Sequence, residues 1–279
     1  DPRSVMAEDP EFATTNRAGQ VICCAQALAG WAVIASKLPT GTVVVGYSVG
    51  DLAAWGCAGR FAAGEVLDLA SVRARLMDEE AGQGGGLAGV RGLGREQLDA
   101  LIRPRGLEVA IVNAADSFVV GGDREELRRM CDEALERGAE RAVVLSVSIP
   151  SHTSRLGGAA RRFLACLRGV TTRPSPPREP RLMNGLDGSW VEDSEAGMSK
   201  LARQLAEPID WAACLMVLRG AGVTRVLELG PGHALATMAK WTLPEAEVYA
   251  MDGFRTRAGL RSWLARPENS AGGGLAQRA

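Results

Sequence analysis

Apolar residues dominate several segments near the start of the chain, and their spacing predicts the elements there. Residues 16–36 are almost continuously apolar, which predicts one buried helix. The run GTVVVGY (residues 41–47) is short, β-branched and followed by a turn, which predicts a buried parallel strand. Helical spacing then extends over residues 48–59 and again over residues 63–81. This order of elements indicates an α/β fold.

A compact unit of alternating short elements follows at residues 86–147. The segments GGGLAGVRGL, LEVAIVNAAD, SFVVGGD and ERAVVLSV predict strands. The segments REQLDALIRP and REELRRMCDEALERG predict helices, one between the first two strands and one between the last two. The resulting order, βαββαβ, is that of a ferredoxin-like subdomain.

Helices and strands alternate again after this unit, around a proline-rich link at residues 171–180. The predicted helices lie at residues 156–167, 198–206, 211–222 and 233–241, and the predicted strands at residues 181–185, 224–230 and 246–252.

The predicted fold class is therefore α/β, with a parallel, helix-covered sheet of the α/β-hydrolase type interrupted by the small unit. Residues 1–85 and 148–266 form the predicted core and residues 86–147 the ferredoxin-like insert. The tail, residues 267–279, has no apolar face to pack and is predicted to be disordered.

Composition narrows the functional classes. The 279 residues carry a net charge of -1, which gives no reason to expect a nucleic-acid partner. The six cysteines show no CxxC spacing, so they indicate reduced thiols of a cytoplasmic protein and argue against a metal site. The longest apolar run, residues 21–35, contains Gln26 and is expected to be too short to span a bilayer.

Ser48 lies between two glycines, directly after the predicted strand and before the predicted helix. A GxSxG sequence at a strand-to-helix turn is typical of a nucleophile elbow, in which the serine oxygen is exposed to substrate. The alternative is a serine that only caps the helix.

A serine nucleophile needs a base, and the chain contains only two histidines. His152 follows the last strand of the insert on a loop, where catalytic groups are common. His233 begins a predicted helix after a Gly-Pro-Gly turn, and a helix N-terminus disfavours a protonated imidazole. We therefore expect His152 to be the base.

Arg73 falls in the middle of the apolar stripe of the helix at residues 63–81, whereas Arg75 does not. A buried arginine needs an acceptor. It could form an internal ion pair or bind a substrate carboxylate with its planar guanidinium, and spacing alone leaves both possibilities open.

Several segments resemble, in order, the malonyl-CoA:acyl-carrier-protein transacylase family of fatty-acid and polyketide synthesis. GYSVGDLAAWGCAG is similar to that family's GHSxGE elbow, VRARLM to its arginine segment and SIPSHT to its histidine segment. VNAADSFVVGG, ARQLAEPIDW and LELGPGHAL resemble further segments of the family. The wording of the first, third and fifth segments resembles in particular the malonyltransferase (epsilon) subunit of malonate decarboxylase.

The resemblance implies an acyltransferase with malonyl-CoA as substrate and an acyl carrier protein, or the carrier subunit of malonate decarboxylase, as acceptor. It implies a cytoplasmic monomer without cofactor or metal, and without a membrane or nucleic-acid partner. The implied catalytic groups are the Ser48 nucleophile, the His152 base, the Gln204 carbonyl that orients it and the Val49 N–H that binds the oxyanion. The implied substrate-binding residues are Arg73, Gln20 and Asn113.

The chain departs from the family pattern at three points. Tyr47 stands where the family usually has histidine, and Asp51 stands where it usually has glutamate. The family also has a PGQG loop before the elbow whose glutamine N–H is a second oxyanion donor, and no such segment precedes Ser48 here. We therefore expect that the given sequence lacks the family's first strand and this loop.

Two other functions stay open. A serine esterase or thioesterase of the α/β-hydrolase type would need the triad Ser48, Asp210 and His233, because that fold places the acid and then the histidine after the serine. An inactive acyltransferase-like domain that only docks a carrier protein is the third possibility.

Overall fold

The computed structural model of the chain describes residues 15–173 and 180–266. The predicted disorder of residues 267–279 and most of the proline-rich link therefore lie outside the described residues. Within the described part, helices surround one larger mixed sheet and two small parallel strand pairs, so the α/β class is confirmed.

The helices reproduce the predicted apolar segments, and α3 coincides with its prediction. They are α1 (Asn16–Ile34), α2 (Val49–Cys57), α3 (Ala63–Ala81), α4 (Arg95–Ile102), α5 (Arg124–Glu136), α6 (Gly157–Arg168), α7 (Ser194–Arg203), α8 (Trp211–Gly220), α9 (Ala234–Thr242) and α10 (Arg257–Leu264).

Sequence analysis missed α10. It is short, it begins at Thr256, whose hydroxyl accepts the Gly259 N–H at 3.1 Å, and it buries only Leu260 and Trp263. Two apolar positions in eight residues give too little periodicity to predict a helix from the pattern alone. Their burial depends on contact with Ile34 at the end of α1.

The strands are β1 (Val43–Val44), β2 (Gly85–Arg91), β3 (Glu108–Ala114), β4 (Ser117–Asp123), β5 (Arg141–Val144), β6 (Arg181–Leu182), β7 (Ile209–Asp210), β8 (Arg225–Glu228) and β9 (Glu247–Ala250). The larger sheet has the order β5-β2-β4-β3-β7, and the parallel pairs are β1/β6 and β8/β9.

Four strands of the larger sheet and two helices make up residues 85–144, and they follow one another in the order βαββαβ. The four strands are antiparallel, because β3 and β4 are joined by two residues and a link that short allows only antiparallel pairing. The short strand β7, which sequence analysis did not predict, pairs with β3 in parallel. It connects this unit to the segment that follows α7.

The expected continuous parallel sheet is not formed by the described strands, which is a correction. β1 and β6 share a ladder of two residue pairs and then diverge. The divergence has a steric cause: the chain turns at Gly46, and a Cβ on Gly185 after β6 would lie 2.0 Å from the Gly46 carbonyl oxygen. Two backbones in such close contact leave no room for a regular ladder.

With its terminal 3₁₀ turn, α1 spans residues 16–37 with a mean hydropathy of 1.6, and it is long and apolar enough to cross a membrane. The expectation that its apolar run is too short was therefore wrong. In the structure α1 packs along α2 and α3, and its Ala18, Gln20, Cys24, Ala27 and Ile34 are buried there. Its contacts are those of a core helix.

Candidate active site

The chain turns sharply from β1 into α2, and Ser48 lies at the apex of the turn. Its φ of 53° and ψ of -119° fall in a region that L-residues rarely adopt. Gly46 makes the turn possible, since a Cβ there would lie 2.0 Å from the backbone of Gly50. The Gly50 N–H donates to the Tyr47 carbonyl at 2.9 Å. This geometry is that of a nucleophile elbow.

His152 meets Ser48, although the two residues are far apart in sequence. The Ser48 Oγ and the His152 Nε2 are 2.9 Å apart. The opposite ring nitrogen, Nδ1, bonds the Gln204 carbonyl, which can only accept. Nδ1 therefore carries the hydrogen, and Nε2 is free to accept the hydroxyl proton of Ser48. The structure thus brings together three predicted residues in the arrangement that general-base activation requires.

The protonation state of His152 is set by its surroundings. The ring is buried, and burial, together with the charge of Arg73, lowers its pKa to about 3, while the Gln204 carbonyl opposes the shift. At neutral pH the imidazole is therefore neutral and can act as a base.

Arg73 is fully buried next to this pair, as its place on the apolar stripe predicts. Its Nη1 donates to Gln20 Oε1 at 2.7 Å and its Nη2 to Ser48 Oγ at 3.3 Å. Met77 Sδ is its other described partner, so none of its partners in residues 15–173 and 180–266 is a carboxylate. Burial lowers its pKa to about 10, and it stays charged at neutral pH. The internal ion pair is therefore excluded within the described part of the chain.

Gln20 holds Arg73 in place from α1. Its side-chain amide donates to Asn16 Oδ1 at 2.9 Å, which turns its oxygen toward the guanidinium. Asn16 in turn donates to the Ala74 carbonyl of α3 at 3.2 Å. Sequence analysis missed Asn16, whose only signal was its spacing of one helical turn from Gln20.

Val49 is the first residue of α2, so its N–H has no partner within the helix. No described residue accepts a hydrogen bond from it. The N–H is directly bonded in sequence to Ser48 and lies at the positive end of the helix dipole. It is therefore available to bind an oxyanion formed at Ser48.

Asn113 reaches the elbow from β3. Tyr47 Oη donates to Asn113 Oδ1 at 3.2 Å, and the Tyr47 ring packs edge-on against Trp211 with centroids 5.3 Å apart. Burial raises the pKa of Tyr47, so the phenol stays protonated and donates. The structure places Asn113 beside the site through Tyr47 and gives it no contact with Ser48, Arg73 or His152.

Comparison with known proteins identifies the family. The model of the acyl transferase domain matches residues 4–184, more than half of the chain, including Gln20, Ser48, Arg73 and His152. The chain belongs to the acyl transferase domain family. It is therefore an acyltransferase.

Named relatives of this acyltransferase agree with the match. A malonyl CoA-acyl carrier protein transacylase of Mycobacterium tuberculosis is 31% identical over 218 residues, covering 77% of this chain and 69% of the relative. An acyl-carrier-protein S-malonyltransferase from Burkholderia pseudomallei has a TM-score of 0.84 and 28% identity, over 95% of this chain and 86% of that chain. A malonyl-transacylase solved in complex with its acyl-carrier protein has a TM-score of 0.83 and 26% identity, over 92% and 83% of the two chains.

The alternative hydrolase triad is not assembled in the acyltransferase. The Asp210 carboxylate is exposed and accepts the Ala213 N–H at 2.8 Å, which caps α8. His233 is exposed and caps α9. Ser48 is bonded to His152 instead.

Asp51 lies one helical turn after Ser48, and sequence analysis treated it only as a neighbour of the site. It is completely buried, and its Oδ2 accepts the Gly185 N–H at 3.0 Å and the Gln204 side-chain amide at 2.8 Å. Burial raises its pKa to about 7, although both hydrogen bonds and Arg73 oppose the shift. A buried carboxyl that contacts a site residue was not predictable, because the contact joins segments distant in sequence.

Proposed function

We propose that the protein transfers a malonyl group from malonyl-CoA to the thiol of a carrier protein, through a malonyl ester on Ser48. One observation carries this proposal: the buried Arg73 has no carboxylate partner in the described residues, and its Nη2 lies 3.3 Å from Ser48 Oγ. An acyl group on that oxygen with a free carboxylate can pair with the guanidinium through two parallel hydrogen bonds. A malonyl group has that carboxylate, and an acetyl group lacks it.

In the first half-reaction His152 Nε2 takes the proton of Ser48 as Oγ attacks the thioester carbonyl of malonyl-CoA. The Val49 N–H binds the oxygen that becomes negative in the tetrahedral intermediate. The carbon–sulfur bond then breaks, and the CoA thiolate takes the proton from His152. The Gln204 carbonyl accepts from Nδ1 throughout and stabilises the transient imidazolium.

The second half-reaction repeats these steps in reverse. The thiol of a phosphopantetheine-type group gives its proton to His152 and attacks the ester carbonyl. The bond to Ser48 Oγ breaks, and the serine recovers the proton. Arg73 holds the malonyl carboxylate between the two half-reactions, so the ester stays oriented for the incoming thiol. No cofactor or metal takes part in either step of this mechanism.

The related malonyl-transacylase solved with its acyl-carrier protein supports a carrier protein as the second substrate here. The segments that resemble the epsilon subunit of malonate decarboxylase favour its carrier subunit as the natural acceptor. We further propose a cytoplasmic, monomeric enzyme without a membrane or nucleic-acid partner. Residues 86–147 form a ferredoxin-like subdomain in this proposal, and residues 1–85 and 148–266 a hydrolase-like core.

The proposal is tested by mixing the full-length protein with malonyl-CoA and recording its intact mass and the CoA released. We expect a gain of one malonyl group, no gain in Ser48→Ala, and a slow gain in Arg73→Met. Arg75→Met is the matched control, because Arg75 lies on the same helix but is exposed and pairs with Glu79. This control should acylate like the wild type.

The acceptor is identified in the same assay by adding an acyl carrier protein or the malonate decarboxylase carrier subunit, each with its prosthetic thiol. Loss of the malonyl group from Ser48 and its appearance on one carrier names the acceptor. A folded wild-type protein that gains no acyl group and releases no CoA would contradict the transferase. Equal acylation by acetyl-CoA and malonyl-CoA would contradict the role of Arg73.

A further inference from the structure

The fully buried carboxyl of Asp51 joins two segments that come from distant parts of the chain. One is the turn after β6, through the Gly185 N–H, and the other is the end of α7, through the side chain of Gln204. Both donors reach the same oxygen, Oδ2, while Oδ1 has no partner among the described residues. A buried carboxyl is costly, so its presence here needs a reason.

Gln204 gives that reason, because its backbone carbonyl bonds His152 Nδ1. The Gln204 side chain is itself fully buried, and Asp51 is its described hydrogen-bond partner. Its other polar atom, Oε1, has no partner in the described residues. The hydrogen bond to Asp51 is thus the polar contact that fixes the Gln204 side chain.

Asp51 also lies on the helix that begins at the nucleophile, and the Asp51 N–H donates to the Ser48 carbonyl at 3.1 Å. A closed ring of contacts results: Ser48 to His152, His152 to Gln204, Gln204 to Asp51, and Asp51 back to Ser48. Such a ring fixes the base relative to the nucleophile from both sides.

We infer that Asp51 is a positioning residue of the base: by binding the Gln204 side chain it holds the Gln204 carbonyl where it keeps His152 in the tautomer with hydrogen on Nδ1. This inference rests on the proposed function for its effect on rate, but its effect on the tautomer is independent of the substrate. It goes beyond capping, because an acidic residue that only caps α2 would have no reason to contact Gln204.

Three variants separate hydrogen bonding from charge and from packing. Asp51→Asn keeps an oxygen at the Oδ2 position without the charge, and Asp51→Leu keeps the branched shape without an acceptor. Gln204→Leu removes the same hydrogen bond from the other side and retains its backbone carbonyl. It provides the test should Asp51→Leu not fold.

Turnover is the first readout. We expect kcat for malonyl transfer to fall on the order of 10²-fold in Asp51→Leu and in Gln204→Leu, the usual effect of a misplaced catalytic group. KM for malonyl-CoA should stay unchanged, because Arg73 and Gln20 are untouched. Asp51→Asn should restore most of the rate, and the double variant should be no slower than either single one.

The tautomer is the second readout, and two histidines make the nitrogen NMR spectrum simple. His152 should be protonated on Nδ1 in the wild type and in Asp51→Asn, and mixed between the two nitrogens in both leucine variants. An unchanged tautomer in folded leucine variants overturns the inference, as does an Asp51→Asn as slow as Asp51→Leu. A wild type that shows the expected tautomer but gains no malonyl group overturns only the proposed function.

Discussion

Arg73 and His152 influence each other's charge at the residue scale. The guanidinium lacks a carboxylate partner in the described part of the chain, so its positive charge acts on the neighbouring imidazole and, with burial, lowers the His152 pKa. A substrate carboxylate bound to Arg73 would offset that charge. The residue that selects the substrate therefore also affects the strength of the base.

The first prediction concerns pH. Because His152 must be neutral to accept a proton and its pKa is lowered to about 3, kcat/KM for acylation should stay level as the pH falls below 6.5. Removing the charge in Arg73→Met should raise this pKa and move the acid limb to higher pH. Initial rates of CoA release across the pH range in which melting curves show a folded protein measure both. An acid limb near 6.5 in the wild type would contradict the assignment.

The second prediction sets stability against activity at the same residue. Arg73→Met removes a buried charge that no described carboxylate balances, and methionine fills a similar space. We expect the free energy of unfolding to rise by about 1–4 kcal/mol while malonyl transfer falls. Urea denaturation measures the stability, and Arg75→Met should leave it within about 0.5 kcal/mol of the wild type. A destabilised Arg73→Met would show that its three hydrogen bonds outweigh the buried charge.

At the scale of elements, the junction of β1 with α2 depends on one glycine of the GYSVG sequence more than on the other. A Cβ on Gly46 would meet the Gly50 backbone at 2.0 Å, whereas nothing lies within 4 Å of a Cβ on Gly50. The sequence motif treats both positions alike, and the structure distinguishes them.

The third prediction follows from that difference. Gly46→Ala should destabilise the fold by at least about 3 kcal/mol, because backbone cannot move aside cheaply. Gly50→Ala, its matched control inside the same motif, should be neutral or stabilising by about 0.5–1 kcal/mol, since alanine favours the helix. Denaturant midpoints of the two variants give the comparison, and similar losses in both would be evidence against the described elbow.

Elements with strong local periodicity could be predicted. The stripe of α3 predicted its bounds and the burial of Arg73, and the apolar segments of α1 and α2 predicted those helices. The prediction failed for α10 and β7, whose few apolar residues are buried only by partners elsewhere. It also failed for the continuous parallel sheet, because the contact between Gly46 and Gly185 leaves no trace in local pattern.

At the scale of the whole molecule, the site is assembled from segments that span most of the described chain. Asp51 and Gln204, which bond directly, are 153 positions apart, and Ser48 and His152 are 104 apart. Long-range contacts of this kind form only when the fold is complete, so charges inside the site contribute to global stability.

The fourth prediction uses Asp51 to measure that contribution. Its folded-state pKa is raised from 3.8 to about 7, so between these values the native protein keeps a proton that the unfolded chain has lost. The free energy of unfolding of the wild type, relative to Asp51→Asn, should therefore fall as the pH rises from about 4 to about 7, by up to about 1.4 kcal/mol per pH unit. Urea denaturation of both proteins at several pH values tests this. A constant difference would mean that Asp51 ionises in the fold as it does in water.

The sequence by itself determined the α/β class, the order of most elements and the candidate chemistry. Periodicity and turn residues are local, and only two histidines and one arginine on an apolar stripe were available for the roles beside Ser48. The tertiary structure decided which histidine meets the serine, and it excluded an internal ion pair of Arg73 with any described carboxylate. It also decided that Asp51 contacts Gln204. Hydrogen bonds and buried charges depend on distances of a few ångströms between segments far apart in sequence, and only the folded chain sets those distances.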